Sequence, residues 1–270
     1  MPYNWLDCPI KVKDFVLNLL NGIKNLLNDD FVGFYLHGSL AMGGYNPSRS
    51  DIDILVVTSE SISVQTKREL AKFFLHYSAN PYPVEISFLN EKHIGNWIHP
   101  LYYEFHYSEF WRERYKNDMS KSANLYINEQ IQHDSDLAAH IMITNHRGIC
   151  IEGKPIVDVF PLIPEQDYLS SIKGDYLECL EKIEEDPIYC VLNMMRVYLY
   201  VKSEMIVSKH EAGTWGLSGL PDEIQRTIKS VMTIYCGEKG SVQFTKKELF
   251  TFSQYIDNRL KIGEAKGESI

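Results

Sequence analysis

The feature that most constrains the fold is a pair of apolar segments joined by a short polar stretch near the N-terminus. Residues 31–36 are almost entirely apolar and lead into a Gly-Ser pair, and residues 51–57 begin with two aspartates one residue apart. Because side chains alternate across a strand, Asp51 and Asp53 share one face while the isoleucines between and after them share the other. The pattern predicts two neighbouring strands with a polar turn and two carboxylates at one edge.

Two carboxylates on one face repel each other unless a cation lies between them. Oxygen ligands favour magnesium with a bound phosphate, and the small residues Gly38 and Ser39 allow backbone N–H groups to approach that phosphate. Either half of the pattern alone is also common in turns and strand ends that carry no chemistry. Their combination favours the chemical interpretation, so we predict that Asp51 and Asp53 bind Mg²⁺.

Composition limits the possible partners. The chain has 270 residues, a formal net charge of −9, 44% hydrophobic residues and 23% charged residues, as expected for a globular protein of two modest domains. The negative charge argues against nucleic-acid binding and is compatible with a cationic small substrate. Neither a signal peptide nor a long apolar run is visible, so we expect a cytoplasmic protein without a membrane partner. The five cysteines lack CxxC spacing, which argues against zinc and a disulfide framework.

Hydrophobic periodicity divides the chain into a mixed N-terminal part and a helical C-terminal part. The N-terminal part contains predicted helices at 12–27, 63–77 and 136–147 and predicted strands at 31–36, 51–57 and 84–89. A Pro-bearing linker is predicted at 154–164. The C-terminal part contains predicted helices at 167–184, 189–207, 221–235 and 246–260, turns at 213–219 and 237–240, and a frayed tail at 263–270. The fold class is therefore α+β, with a mixed β-sheet followed by an α-helical bundle.

The residues Gly38-Ser39, Gly43-Gly44 and Ser50-Asp51-Ile52-Asp53 together resemble the signature of the nucleotidyltransferase superfamily that includes DNA polymerase beta. Its members transfer a nucleoside monophosphate from a nucleoside triphosphate to an acceptor. The spacing and the rest of the chain are similar to the aminoglycoside adenylyltransferases that modify streptomycin and spectinomycin. This resemblance implies a nucleotidyltransferase domain at 1–160, a helical substrate- and nucleotide-binding domain at 161–270, the use of ATP and Mg²⁺, and a role in antibiotic resistance.

Glu85 lies at the start of the predicted strand 84–89, whose other face is apolar. The resemblance implies that Glu85 is the third acidic residue of the site, a ligand of Mg²⁺ and the base that removes the proton of the acceptor hydroxyl. Such a hydroxyl needs a positioned base because its pKa lies far above neutral. A solvent-facing glutamate at a strand start is the alternative.

The resemblance also implies nucleotide-binding roles for a further set of residues. They are Gly38, Ser39, Ser50, Asp136, Arg196, Lys209 and Tyr235. Arg196 lies in an apolar run, where an unpaired charge would be costly, and this favours a functional role. For the others ordinary roles remain open: Asp136 as a helix N-cap, Lys209 as a surface lysine, and Tyr235 as a core aromatic.

Substrate contacts are implied for Glu109, Phe110 and Asp186, and a cationic antibiotic suits carboxylates and aromatic faces. Phe110 replaces the family's usual tryptophan, and His37 and Leu40 also differ from common family residues. These departures leave the antibiotic and its modified hydroxyl open. The chain is expected to act as a monomer on ATP and the antibiotic. Two alternatives are a nucleotidyltransferase acting on another small-molecule or protein hydroxyl, and an antitoxin-like binding module.

Overall fold

A computed structural model of the chain describes residues 2–121, 124–130, 132–237 and 243–260. The chain divides into two compact units, the first comprising Tyr3–Asp167 and the second beginning at Tyr168. The sequence placed this boundary after residue 160. Asp167 accepts a hydrogen bond from Trp97 Nε1 at 2.8 Å, which ties the end of the first unit to its interior.

The first unit is built on a mixed β-sheet. Its strands are β1 (Phe31–Leu36), β2 (Ile52–Thr58), β3 (Val84–Asn90), β4 (Leu101–Tyr103), β5 (Phe105–Tyr107), β6 (Gln132–Asp134) and β7 (Ile149–Gly153). Among the described residues, five of them form one sheet in the order β5-β3-β2-β1-β7, and β4 pairs with β6. Only β2 and β3 run parallel within the described sheet, which confirms the predicted mixed sheet.

Helices pack around this sheet because their apolar faces match its buried side. They are α1 (Ile10–Leu27), α2 (Gly38–Met42), α3 (Val64–Tyr77), α4 (Glu91–Gly95), α5 (Arg112–Lys121), α6 (Leu137–Arg147) and α7 (Ile156–Val159). The amphipathic helix predicted at 12–27 is confirmed, since α1 buries Val12, Val16 and Leu19 in the core shared with the sheet. The stretch 154–164, predicted as a linker, contains α7, and the Phe160 ring packs on Tyr35 at 4.9 Å.

The second unit is helical, as the sequence predicts. Its helices are α8 (Glu165–Lys182), α9 (Pro187–Ser203), α10 (Lys209–Gly219), α11 (Asp222–Tyr235) and α12 (Lys246–Leu260). Helix α9 begins with Asp186 as N-cap and proline at the first turn, a favourable start because proline lacks only an unused N–H there. Neighbouring helices surround α9 so completely that most of its residues belong to the core of this unit.

The turn predicted at 213–219 is wrong, because these residues belong to α10. Ser208 and Glu211 form a capping box that starts this helix. A Cβ atom on Gly213 would overlap Met232 Sδ, so the glycine that suggested a turn instead allows α10 to pack closely on α11. The predicted turn at 237–240 falls mostly, and the predicted tail at 263–270 entirely, outside the described residues. None of the described helices combines the length and the apolar character needed to cross a membrane.

Candidate functional site

Two acidic side chains face the same side of the sheet at the start of neighbouring strands. In the parallel pairing of β2 with β3, Asp53 lies directly opposite Glu85. Both side chains are partly exposed, whereas the flanking Ile52 and Ile54 are buried. Asp51 precedes β2 and is exposed. The alternation predicted from the sequence therefore brings Asp53 and Glu85 together.

The Gly-Ser pair, expected as a turn, leads directly from β1 into the short helix α2, and this turn into α2 is fitted around the carboxylate of Asp53. Ser39 N–H donates a hydrogen bond to Asp53 Oδ2 at 3.2 Å, and His37 N–H donates to the backbone oxygen of Asp53 at 3.1 Å. Gly38 has a φ of 57°, and a Cβ atom at this position would overlap Asp53 Oδ2. Only glycine meets both requirements without strain. Ser39 Oγ is buried and has no hydrogen-bond partner among the described residues, so it remains available to a ligand.

The electrostatics of Asp53 favour a bound cation. Burial, followed by the charges of Glu85 and Asp51, raises the pKa of Asp53 from its ordinary 3.8 to about 7, against the opposing effects of His140 and the Ser39 N–H. A carboxyl group with this environment is ionised at neutral pH only at a cost, which a divalent cation would remove. The donor set of carboxylates fits magnesium.

The described side chains do not by themselves form a complete ligand set for the predicted Mg²⁺. Within the described ranges, no group of three or more His, Cys, Asp or Glu side chains is arranged to hold a metal ion. Magnesium usually keeps several waters and takes one or two carboxylates together with substrate phosphates, so a complete protein cage is not required. The assignment of Asp51, Asp53 and Glu85 as ligands therefore remains a prediction.

Three histidines near these acids were not predicted. The rings of His37 and His140 lie 4.8 Å apart, and burial together with the charge of His140 holds the pKa of His37 well below its ordinary value. His106 Nδ1 lies 2.9 Å from Ser87 Oγ, and burial lowers the pKa of His106. The three residues come from separate elements and share no spacing motif. Their only sequence signal is the position of His37 immediately before Gly38.

The remaining predicted residues of the first unit lie in varied environments. Ser50 Oγ accepts a hydrogen bond from Asn46 N–H at 3.0 Å and so closes the loop before β2. Asp136 occupies the N-cap position of α6 without forming a side-chain capping bond. Phe110 is 71% exposed, with the Arg114 guanidinium 4.1 Å from its ring centre.

Glu109 is held by a neighbouring arginine. Arg112 donates to Glu109 through Nε at 2.6 Å and Nη2 at 3.2 Å, and Ser78 Oγ also donates to the carboxylate. The same guanidinium donates to the backbone oxygens of Leu75 and Ser78 at 3.0 and 2.7 Å. Burial would raise the pKa of Glu109, but these hydrogen bonds outweigh it and lower that pKa. Glu109 thus helps to anchor the end of α3 in this structure.

The second unit contains the other predicted residues. Arg196 Nε donates to Val207 O at 3.0 Å, and the Lys209 ammonium lies 4.0 Å from the centre of the Tyr189 ring. Asp186 accepts a hydrogen bond from Tyr189 N–H at 3.1 Å as the N-cap of α9. Tyr235 is partly buried at the end of α11, against the core of this unit.

Comparison with known proteins connects these features to a family. Residues 19–115 match the nucleotidyltransferase domain, and residues 158–259 match the C-terminal domain of aminoglycoside adenylyltransferases. The chain is 26% identical over 234 residues to a spectinomycin 9-adenylyltransferase of Staphylococcus aureus, with 84% of this chain and 86% of that protein covered. It is 24% identical over 262 residues to an aminoglycoside (3'') (9) adenylyltransferase of Klebsiella pneumoniae, covering 93% and 95% of the two chains.

A solved structure shares the fold. The crystal structure of an Enterococcus spectinomycin adenyltransferase, AAD(9), with ATP and spectinomycin superimposes with a TM-score of 0.77 at 24% identity, over 92% of this chain and 99% of that one. The α+β fold predicted from the sequence is thereby confirmed. Because the two matched domains follow each other along most of its length, this chain belongs to the aminoglycoside adenylyltransferase family of nucleotidyltransferases.

Proposed function

We propose that this protein transfers the AMP group of ATP to a hydroxyl of spectinomycin or streptomycin and so confers resistance to the antibiotic. The observation that carries the proposal is the pairing of Asp53 with Glu85 beside the turn formed by Gly38 and Ser39. In a member of this family, that pairing places two carboxylates next to a turn whose backbone and hydroxyl can bind phosphate oxygens.

The reaction requires a base and an accessible α-phosphorus. Glu85 takes the proton of the acceptor hydroxyl as its oxygen forms a bond to the α-phosphorus of ATP. The bond from that phosphorus to the oxygen bridging the α- and β-phosphates breaks, and pyrophosphate leaves with that oxygen. Most of the acceleration comes from in-line positioning and fixed electrostatics, because little covalent chemistry falls to the protein.

Asp51, Asp53 and Glu85 would hold Mg²⁺. When bound, the ion neutralises charge that develops on the phosphate oxygens. Its charge would also lower the pKa of Asp53, which burial and neighbouring carboxylates raise to about 7. Asp53 would then be fully ionised at neutral pH.

A further set of residues is proposed to bind the nucleotide. Ser39 contributes a buried hydroxyl with no hydrogen-bond partner among the described residues, and Gly38 allows the backbone to approach the phosphates. The proposed set comprises Gly38, Ser39, Ser50, Asp136, Arg196, Lys209 and Tyr235. An arginine fork suits bidentate phosphate contact, whereas a lysine acts as a point charge.

The acceptor is proposed to be an aminocyclitol or aminoglycoside because proteins named spectinomycin 9-adenylyltransferase align with most of the chain. Phe110, Glu109 and Asp186 are proposed to contact the ammonium groups of such a substrate, in addition to their present contacts with Arg114, Arg112 and the start of α9. We propose that the protein acts as a monomer in the cytoplasm, on ATP and the antibiotic and not on nucleic acid.

The proposal is tested by measuring pyrophosphate release by the purified protein with ATP and Mg²⁺. We expect release only when spectinomycin or streptomycin is added, and at least about a 100-fold loss in Glu85→Gln and in Asp53→Asn, as for removal of a general base or a metal ligand. Wild-type turnover in both variants would contradict the assigned chemistry. If neither spectinomycin nor streptomycin caused release of pyrophosphate, the proposed acceptor would be wrong.

A further inference from the structure

The two cations proposed to bind the triphosphate, Arg196 and Lys209, belong to one polar network in the second unit. In the fully described stretch 190–200 of α9, every residue is buried except Arg196, which is partly exposed. Its Nε donates to Val207 O at 3.0 Å, and its Nη1 donates to Asn193 Oδ1 at 3.3 Å. A guanidinium tied to a backbone oxygen and to a buried amide has little freedom to turn.

Lys209 is oriented in a different way. It is the first residue of α10, whose start is fixed by the capping box of Ser208 and Glu211. Its ammonium lies 4.0 Å from the centre of the Tyr189 ring, a distance at which a cation is attracted to an aromatic face. The position of this ammonium is therefore coupled to the orientation of the Tyr189 ring.

Asp175 of α8 connects the two cations. The Tyr189 hydroxyl donates to both carboxylate oxygens of Asp175, at 3.0 and 3.1 Å. The Asn193 amide nitrogen also donates to Asp175. Asn193 is only 4% exposed, and its amide is oriented with nitrogen towards Asp175 and oxygen towards Arg196. One carboxylate thus reaches Lys209 through a tyrosine and Arg196 through an asparagine.

This arrangement reduces the repulsion between the charges of Arg196 and Lys209. Two cations held close enough to share one polyphosphate repel each other, and an ion pair made directly with either would occupy donors that the phosphates need. A carboxylate acting through intervening side chains provides a compensating negative charge without itself occupying the donors of either cation. Networks of this kind also rigidify what they connect when their members are satisfied.

We propose that Asp175, Tyr189 and Asn193 are positioning residues that set Arg196 and Lys209 for binding the triphosphate of ATP. The inference rests on the proposed function, because it takes the two cations to be nucleotide ligands. It assigns to α8 and α9 a part in nucleotide affinity, through residues that do not themselves touch the nucleotide.

The test compares Tyr189→Phe and Asp175→Asn with a matched control. Tyr189→Phe keeps the ring beneath Lys209 and removes the hydroxyl that orients it. The control is Tyr176→Phe, which removes another tyrosine–aspartate hydrogen bond of the same unit, from Tyr176 to Asp257 Oδ1 at 3.0 Å. Binding of ATP and of inorganic tripolyphosphate to the full chain is measured by calorimetry, together with KM for ATP, KM for spectinomycin and the thermal midpoint.

We expect Tyr189→Phe and Asp175→Asn to weaken binding of ATP and tripolyphosphate about tenfold and to raise KM for ATP by a similar factor, with KM for spectinomycin changed less than about twofold. Tyr176→Phe should lower the thermal midpoint and leave all binding constants within about twofold of wild type. A merely structural role would affect Tyr189→Phe and Tyr176→Phe alike, and that result would overturn the inference.

The outcomes separate this inference from the proposed function. If the wild type binds ATP and tripolyphosphate and the Tyr189→Phe effect is present without any modification of an antibiotic, the positioning role stands and the proposed acceptor falls. If Tyr189→Phe and Asp175→Asn bind tripolyphosphate as the wild type does, the positioning role falls whatever the activity. If the wild type binds neither ligand, both proposals fall.

Discussion

A methyl group on Gly38 would occupy the space that Asp53 Oδ2 fills. Gly38 also has a positive φ of 57°, which costs an L-residue about 1–2 kcal/mol. The overlap would displace Asp53 and break its bond with Ser39 N–H, and a hydrogen bond to a charged group contributes about 1.5–3 kcal/mol. We therefore expect Gly38→Ala to lower the free energy of unfolding by about 2.5–5 kcal/mol. It should lower kcat/KM by about 100-fold, because small displacements of reacting groups have effects of this size.

Substitutions at two other glycines distinguish the cost of a positive φ from the cost of steric overlap by an added Cβ atom. Gly43 has a φ of 81°, but the nearest atom to an added Cβ would be Asn4 Cβ at 3.8 Å. Gly43→Ala should therefore lose only the conformational part, about 1–2 kcal/mol, and keep kcat/KM within a few-fold of wild type. A Cβ atom on Gly95, the last residue of α4, would meet nothing within 4 Å, so Gly95→Ala serves as the reference without overlap and should change the free energy of unfolding by no more than about 1 kcal/mol, towards stabilisation.

The assay combines urea unfolding followed by circular dichroism with pyrophosphate release at a temperature at which all variants are folded. The decisive quantity is the difference between Gly38→Ala and Gly43→Ala in stability and in kcat/KM. Equal losses in both variants would refute the view that the turn after β1 is fitted around the Asp53 carboxylate.

Further variants test the remaining contacts of the first unit. The pKa of Asp53 is about 7 in the folded chain and near its ordinary 3.8 when unfolded, so the folded state holds this proton more tightly and stability falls as pH rises from about 4 to 7. In Mg²⁺-free buffer, Asp53→Asn should therefore match the wild type in stability near pH 4 and be more stable by about 2–4 kcal/mol at pH 8, as measured by urea unfolding. A stability difference that does not change with pH would contradict the raised pKa of Asp53. Glu85→Gln should lower kcat by about 10²- to 10⁴-fold while ATP still binds, by single-turnover and calorimetric measurement, and an unchanged kcat would exclude Glu85 as the base. Arg112→Leu should lower the free energy of unfolding by about 2–4 kcal/mol, because it leaves Glu109 and two backbone oxygens without this donor; a loss below about 0.5 kcal/mol would show that this anchor contributes little.

Much of the fold follows from local sequence patterns. Apolar runs located β1 and β2 and alternation located β3, because these strands are buried along nearly their whole length except at a few polar positions. The 3.6-residue period located α1 and α3, because each of these helices has one buried face. The helix α10 was missed because glycine is a poor helix former, and its compensating close contact with α11 is made by residues distant in sequence. Local propensity cannot reveal such a contact.

The candidate site was predictable where its geometry is local and unpredictable where it depends on the tertiary fold. The alternation of residues 51–53 implied a shared face for two carboxylates, and β2–β3 pairing then placed Glu85 opposite Asp53. The contact between His37 and His140 joins residues from β1's end and α6, so no spacing rule could indicate it. The network centred on Asp175 likewise depends on how α8 packs against α9.

The most direct test of the central claim, that the Asp53–Glu85 pair is the centre of adenylyl transfer, is the mass of spectinomycin after incubation with the protein, ATP and Mg²⁺. We expect the wild type to add one adenylyl group to the antibiotic and to release one equivalent of pyrophosphate, and we expect Asp53→Asn to produce no adduct in the same time. An adduct formed equally fast by Asp53→Asn, or no adduct with the wild type on either spectinomycin or streptomycin, would contradict the account.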